Sequence, residues 1–197
     1  MPHGMMILGL LAGIGLAAWL LKRESEGDDM GIFDSIGDIW VQLTTSEESR
    51  IAQLQSEVQA ELRALLSDLF AEGIPVEVGA TLRTSAQEKA LIAAGKTSAD
   101  LKISWHQLGR AVDMYTIDPD TGIVDRAGKN IEQYRRMHAI AAAHGWRGIA
   151  FNSDGSQKYI TNSKGKKVWD GGHLEWRAPY GSIAQAVQVE GAQYGLA

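Results

Sequence analysis

The stretch "SWHQLGRAVDM", Ser104–Met114, places His106 and Asp113 seven residues apart with Gly109 and Ala111 between them. Its second half alternates like a strand, and Asp113 falls between Val112 and Met114. An ionised carboxylate there is costly unless it is paired or bound to metal. A second stretch, "WDGGHLEW" (Trp169–Trp176), repeats the pattern of polar groups in an apolar setting. His173 opens a short strand three residues after Asp170, and Glu175 shares its face under period-two alternation. If the two strands are neighbours, His106, Asp113 and His173 converge as two imidazoles and one carboxylate, which leaves one position of a tetrahedral zinc open. Asp170, set off by Gly171-Gly172, would stay off the metal and take a proton from water. The spacing is neither a zinc-finger nor an HExxH pattern. On spacing alone, an equal alternative stands: Asp113 and His173 as structural polar residues satisfied by backbone.

Outward from these stretches, "PVEVGATLR" (75–83) reads as a strand and "SAQEKALIAAG" (85–95) as a capped helix ended by Gly95. "GRAVDMYTI" is a strand leading into the turn "DPDTG", and a helix within 124–145 ends at Gly145. "SQKYITNSKGKKVWD" predicts a hairpin turning at Lys164-Gly165, with the short strand "HLEWR" after it. Upstream, one helix is expected from Thr45, capped by Thr45 or Ser46, with Ile51, Leu54, Val58, Leu62, Leu65, Leu66 and Leu69 as its stripe and Gly73 and Pro75 as its stop. Helices first, strands later and no strand-helix-strand rhythm indicate an α+β fold, a small antiparallel sheet with flanking helices.

The N-terminal segment differs in kind. "MMILGLLAGIGLAAWLL", Met5–Leu21, runs seventeen residues without a charge before Lys22 and Arg23. As a helix it spans about 25 Å, slightly short of a hydrocarbon core of about 30 Å. It lacks a basic start and a small-residue cleavage site, so residues 1–23 are expected to be a membrane anchor or signal-anchor helix rather than a cleaved signal peptide. Gly9, Gly13 and Ala17 recur every four residues, the spacing that lets two such helices self-associate in lipid, although small residues are common in membrane helices generally. Residues 24–44 read as a linker with a short amphipathic piece, "GIFDSIGDIWVQL", at helical spacing. The catalytic-sized domain is then 45–197.

Composition narrows the chemistry. The net charge is -5 and no basic stripe appears, so nucleic acid is excluded as a partner. With no cysteine, a metal must use His, Asp or Glu. His138 and His144 lie six apart on one predicted helix, about 240° around its axis, and read as ordinary helix histidines.

The two motifs together, Ser104-x-His106-x-x-Gly109-x-Ala111-x-Asp113 and Asp170-x-x-His173-x-Glu175-Trp176, resemble the paired signature of the LAS-type zinc peptidases, the VanY and L-alanyl-D-glutamate endopeptidase group that includes phage endolysins. The resemblance covers about Val76 to Trp176. It implies a hedgehog/D-Ala-D-Ala peptidase-like fold, zinc held by His106, Asp113 and His173, and Asp170 as catalytic base. It also matches Arg83 and Gln87 to an upstream arginine and glutamine, with Arg83 holding a substrate carboxylate or developing oxyanion, a role suited to a permanently charged fork. A solvated strand-end charge is the alternative for Arg83. Ser104, Gln87 and Glu175 are expected in supporting or pocket roles, because ligating imidazoles donate their other N–H to a fixed acceptor.

The implied activity is zinc-dependent hydrolysis of peptidoglycan stem peptides, as an L-alanyl-D-glutamate endopeptidase. A D,D- or L,D-carboxypeptidase with the same site, or a non-catalytic membrane-tethered wall-binding module, are the alternatives. The sequence between the motifs, "GWRGIAFNSDGSQKYITNSKGKK", departs from the family's Trp- and Gly-rich loop, which leaves bond specificity open. The anchor departs from a soluble endolysin plan and fits a membrane-held lysin, a releasable signal-anchor lysin or a virion component.

Overall fold

A computed structural model describes residues 33–36, 39–42, 44–97 and 103–196, the first two stretches as backbone strands. The run Met5–Leu21 lies outside the described residues, and among those described no helix is long and apolar enough to cross a membrane. Strands β1 (Phe33–Ile36) and β2 (Ile39–Gln42) pair antiparallel, Ile36 opposite Ile39. This corrects the helical reading of "GIFDSIGDIWVQL". Ile, Trp and Val favour strands, which agrees with the observed pairing.

The expected single helix from Thr45 is two. Helix α1 (Thr45–Ile51) is capped by Thr44, one residue earlier than expected, whose Oγ accepts from Glu47 N–H at 3.2 Å while its own N–H donates to Glu47 Oε2 at 3.1 Å. Glu47 Oε1 also accepts from Val78 N–H, tying α1 to the sheet. Helix α2 (Ser56–Ala71) starts afresh after Gln55. The break has a long-range cause: Gln55 N–H donates to Gly109 C=O at 3.1 Å and its side-chain amide to Leu108 C=O at 2.8 Å. Those bonds are unreachable from a continuous helix. The apolar stripe survives the break, with Ile51, Leu54, Val58, Leu62, Leu65, Leu66 and Leu69 all buried.

A four-stranded antiparallel sheet has the order β3 (Val76–Val78), β4 (Ala111–Thr116), β8 (His173–Glu175), β5 (Arg147–Gly148). Between β3 and β4 lies helix α3 (Ser85–Ala94), with a Thr84–Gln87 capping box and Gly95 left-handed at its end. A 3₁₀ turn, Trp105–Leu108, leads directly into β4. Helix α4 (Ile131–Ala143) precedes β5, and the hairpin β6 (Tyr159–Thr161) and β7 (Lys167–Trp169) precedes β8. Helix α5 (Ile183–Glu190) closes the chain. The expected α+β fold with a small antiparallel sheet is what forms.

Alternation along β4 and β8 separates two kinds of surface. Val112, Met114 and Leu174 join Leu62, Leu65, Leu69, Met137 and Trp146 in the main core. Burying an aliphatic side chain of this size contributes roughly 1.5–3 kcal/mol. The opposite set, Asp113 and His173 above all, faces the site.

Strand β3 is shorter than the expected 75–83. Beyond Val78, Gly79 N–H donates to Asp113 C=O at 2.7 Å, whereas Asp113 N–H donates to Ala80 C=O at 2.8 Å. Two residues therefore oppose one, the pattern of a β-bulge. Gly79 is needed because a Cβ would sit 2.8 Å from both Asp113 C=O and the Tyr115 ring. The bulge turns residues 81–83 away from the ladder and toward His106.

Candidate metal centre

Asp113 and His173 are directly opposed across β4 and β8. The flanking bonds, Met114 N–H to Gly172 C=O and Trp176 N–H to Arg110 C=O, put this pair at a non-hydrogen-bonded position, where side chains approach closest. His106 arrives from the 3₁₀ turn. Gly109 caps that turn at φ 63°, a left-handed conformation that costs a side-chain-bearing residue energy and lets the chain reverse straight into β4. Ala111 is fully buried against Trp105, Leu108 and Ala186.

His106 Nε2, Asp113 Oδ1 and His173 Nδ1 form a nearly equilateral triangle with sides of 3.2, 3.2 and 3.1 Å. Tetrahedral zinc with ligand bonds near 2.0 Å has ligand atoms about 3.3 Å apart. The donor chemistry agrees with the geometry. His106 Nδ1 lies 2.5 Å from Thr81 C=O and must carry the proton to donate there. His173 Nε2 lies 3.2 Å from Glu175 Oε1 and is likewise the protonated nitrogen. Both remaining ring nitrogens then present lone pairs to a carboxylate oxygen. Three acceptors facing one another in a buried place repel unless a cation joins them, and these residues could hold a metal ion. The same surplus of acceptors acts on protons. Burial lowers the His173 pKa, but its hydrogen bonds to the Asp113 and Glu175 carboxylates outweigh this and raise it to about 10. Burial likewise opposes the Asp113 charge, and His106 and His173 outweigh it, holding the carboxyl well below its usual range.

Asp170 is not a member of the triangle. Burial first, and the Asp113 charge, raise its pKa, against the opposing influence of His173, His106 and Arg83. It is a half-buried carboxylate beside the triangle with strengthened proton affinity, as a general base requires. Tyr115 completes this side, its pKa raised to about 12 by burial and by the Asp113 and Asp170 charges.

Arg83 reaches the outer oxygen of Asp113 with one guanidinium nitrogen and stands 3.6 Å from Glu88 Oε2 with another, keeping 16% of its side chain exposed. The strand-end alternative is thereby set aside, since the cation is a partner of the presumed ligand. Glu175 stands between an imidazole and a cation: Oε1 meets His173 and Oε2 accepts from Arg177 Nε at 2.7 Å. Ser104 is buried but serves Glu88 rather than an imidazole, its Oγ donating to Glu88 Oε2 at 3.1 Å.

Gln87 is turned elsewhere. Its amide oxygen accepts from Thr84 N–H at 2.8 Å in the α3 cap, on the exposed side. The next residue, Glu88, faces inward, 2% exposed, with Oε1 lacking a partner among the described residues. A cavity of about 250 Å³ adjoins it, lined by Ser85, Glu88, Lys89, Ile92, Ile103 and Gln107 together with Gly195 and Leu196. The cavity does not include the triangle itself. Three participants escaped the sequence reading. Thr81 acts through its backbone carbonyl, which no side-chain motif announces. Arg177 follows the second motif by one residue, a signal that charge complementarity to Glu175 could have supplied. Glu88 was next to the residue chosen.

No protein-family model matches the chain, and no curated protein does. Among solved structures it is similar to the L-Ala D-Glu endopeptidase ChiX of Serratia marcescens, with 18% identity and a TM-score of 0.46 over 68% of this chain and 88% of that one. It is similar also to VanYB in complex with D-alanine-D-alanine, with 21% identity and a TM-score of 0.42 over 71% and 78% of the two chains. The LdcB LD-carboxypeptidase is a third, at 14% identity and a TM-score of 0.44 over 85% and 73%.

Proposed function

We propose that the chain is a zinc-dependent peptidase hydrolysing peptidoglycan stem peptides, with L-alanyl-D-glutamate endopeptidase activity as the specific reaction. The observation that carries the reading is the triangle of two bare imidazole nitrogens and a carboxylate oxygen, sized for zinc, with Asp170 beside it and outside it. The substrate class comes from the resemblance of the two motifs. Zinc bound there supplies a Lewis acid that polarises an amide carbonyl and makes a coordinated water acidic near neutral pH.

The chain's own groups do the rest. Asp170 accepts the proton of the attacking water and returns it to the departing amine, a task matched by its raised pKa. Arg83, with Glu88 beside its other nitrogen, holds the outer oxygen of Asp113 in place, and the exposed part of Arg83 meets the negative oxygen of the substrate. Glu175 and the Thr81 carbonyl fix the two imidazole tautomers. Three protein donors leave one tetrahedral position for water or substrate, which favours catalysis over a closed structural site. Membrane attachment through residues 5–21 belongs to the same proposal, keeping the peptidase beside the wall it cuts.

The test is digestion of defined muropeptides by the full-length chain, with product masses read out. New N-terminal D-glutamate, lost on chelation, is the expected result. Release of one terminal D-alanine would replace the endopeptidase assignment with a carboxypeptidase. Intact muropeptides at every zinc concentration would overturn the reading.

A further inference from the structure

We propose that His138, a helix residue outside both motifs, is the positioning residue for Asp170. The inference rests on the reading of Asp170 as the base. Asp170 and His173 are joined by Gly171-Gly172, a linkage with little intrinsic stiffness, yet the base must be held within a fraction of an ångström. The chain supplies the missing rigidity from outside. His138, on α4, donates Nε2–H to Gly171 C=O at 2.7 Å across 33 residues of sequence. The neighbouring Gly172 C=O accepts from Met114 N–H at 2.9 Å. Both carbonyls between Asp170 and His173 are thereby pinned, one by backbone and one by this side chain.

The imidazole is itself confined. A Cβ on Gly148 would fall 1.8 Å from His138 Nδ1, so strand β5 lies directly against the ring. Phe151 meets the ring edge-on at 5.2 Å and 84°. Burial lowers the His138 pKa, which leaves a neutral ring with its single proton on the nitrogen facing Gly171. Trp169 lies against Gly171 itself, because a Cβ on Gly171 would fall 2.4 Å from its ring. A residue that only filled space here would need no donor. The geometry instead presents a donor aimed at the carbonyl of the residue that follows the base.

Two variants of the full-length chain separate these roles. His138→Leu keeps bulk and removes the donor, whereas His138→Gln keeps a donor. Positioning predicts that the Leu variant retains one equivalent of zinc and a KM within about twofold of wild type while kcat falls about 10-fold or more, and that Gln recovers to within about threefold. Equal kcat in Leu and wild type, or equal losses in Leu and Gln, would overturn it. A second readout is independent of the reaction. In metal-stripped protein, NMR should detect a slowly exchanging His138 Nε2–H, with Asp170 and Gly172 amide shifts moved in the Leu variant and restored in the Gln variant. A rapidly exchanging His138 proton would overturn the inference whatever the activity. Inactive wild type with these NMR effects intact would instead remove the proposed function.

Discussion

Asp113 and His173 face each other at one non-hydrogen-bonded step of the β4–β8 ladder, with Asp113 Oδ1 3.1 Å from His173 Nδ1. Two of the three candidate ligand atoms are thus set by strand register alone, and a one-residue slip would send one of them into the core. The third, His106 Nε2, is set by the 3₁₀ turn and the proton shared with Thr81. That division of labour orders the predictions.

Loss of a ligand should cost more zinc affinity than loss of its outer partner. Glu175→Gln is expected to weaken zinc by about 10- to 100-fold. His173→Ala should weaken it further, beyond about 100-fold. Competition against a chelator of known affinity measures both, and equal losses would refute the assignment of inner and outer roles.

Asp170→Asn preserves shape and removes the base. It should retain one equivalent of zinc and lose about 10²- to 10⁴-fold in kcat. Metal analysis beside steady-state kinetics decides the matter, and an Asn variant of near-normal kcat would assign proton transfer to another group.

Gln87 and Glu88, adjacent in sequence, should separate cleanly. Gln87→Ala removes a helix-cap acceptor and should cost about 0.5 kcal/mol of stability with kcat/KM nearly unchanged. Glu88→Ala removes the second anion beside Arg83 and the acceptor of Ser104 and should lower kcat/KM about 10-fold. The reverse ranking would restore the glutamine to the site.

Glu190 predicts an acid-labile closure of the C-terminal helix. Burial opposes its charge, but hydrogen bonds from Arg110, Tyr180 and Gln55 outweigh it and lower the pKa from 4.5 to about 2. A carboxyl with a depressed folded-state pKa contributes stability above its unfolded value, and that contribution is lost as pH falls through the folded value. Denaturant midpoints should therefore fall between about pH 5 and pH 2, and fall less in Glu190→Gln, which has no charge to lose. Parallel curves for the two proteins would contradict this account.

The readable parts of the chain were those whose meaning is local. Alternation marked β4 and β8, Gly95 marked the end of α3, and Lys164-Gly165 marked the hairpin turn. The paired motifs pointed to His106, Asp113 and His173, which the adjacent strands β4 and β8 and the preceding 3₁₀ turn bring together as a group that could hold a metal ion. What escaped depends on contacts between distant residues. Gln55 breaks a helix to reach Gly109, and His138 reaches Gly171, through bonds that no local pattern encodes. Gln87 and Glu88 show a subtler limit. At this helix start the third residue, Gln87, serves the cap and the fourth, Glu88, faces inward, a difference that residue identity alone does not reveal. The helical reading failed at 33–36 and 39–42, which pair as strands, because apolar spacing in a short segment suits both periods.

The most direct measurement is zinc titration into chelator-stripped, full-length protein while hydrolysis of a defined stem peptide is followed. Activity is predicted to be absent at the start, rise linearly, and break at one equivalent, with His106→Ala flat throughout. Undiminished hydrolysis in the stripped protein, or an unchanged titration in His106→Ala, would contradict the assignment of His106, Asp113 and His173 as the catalytic zinc site.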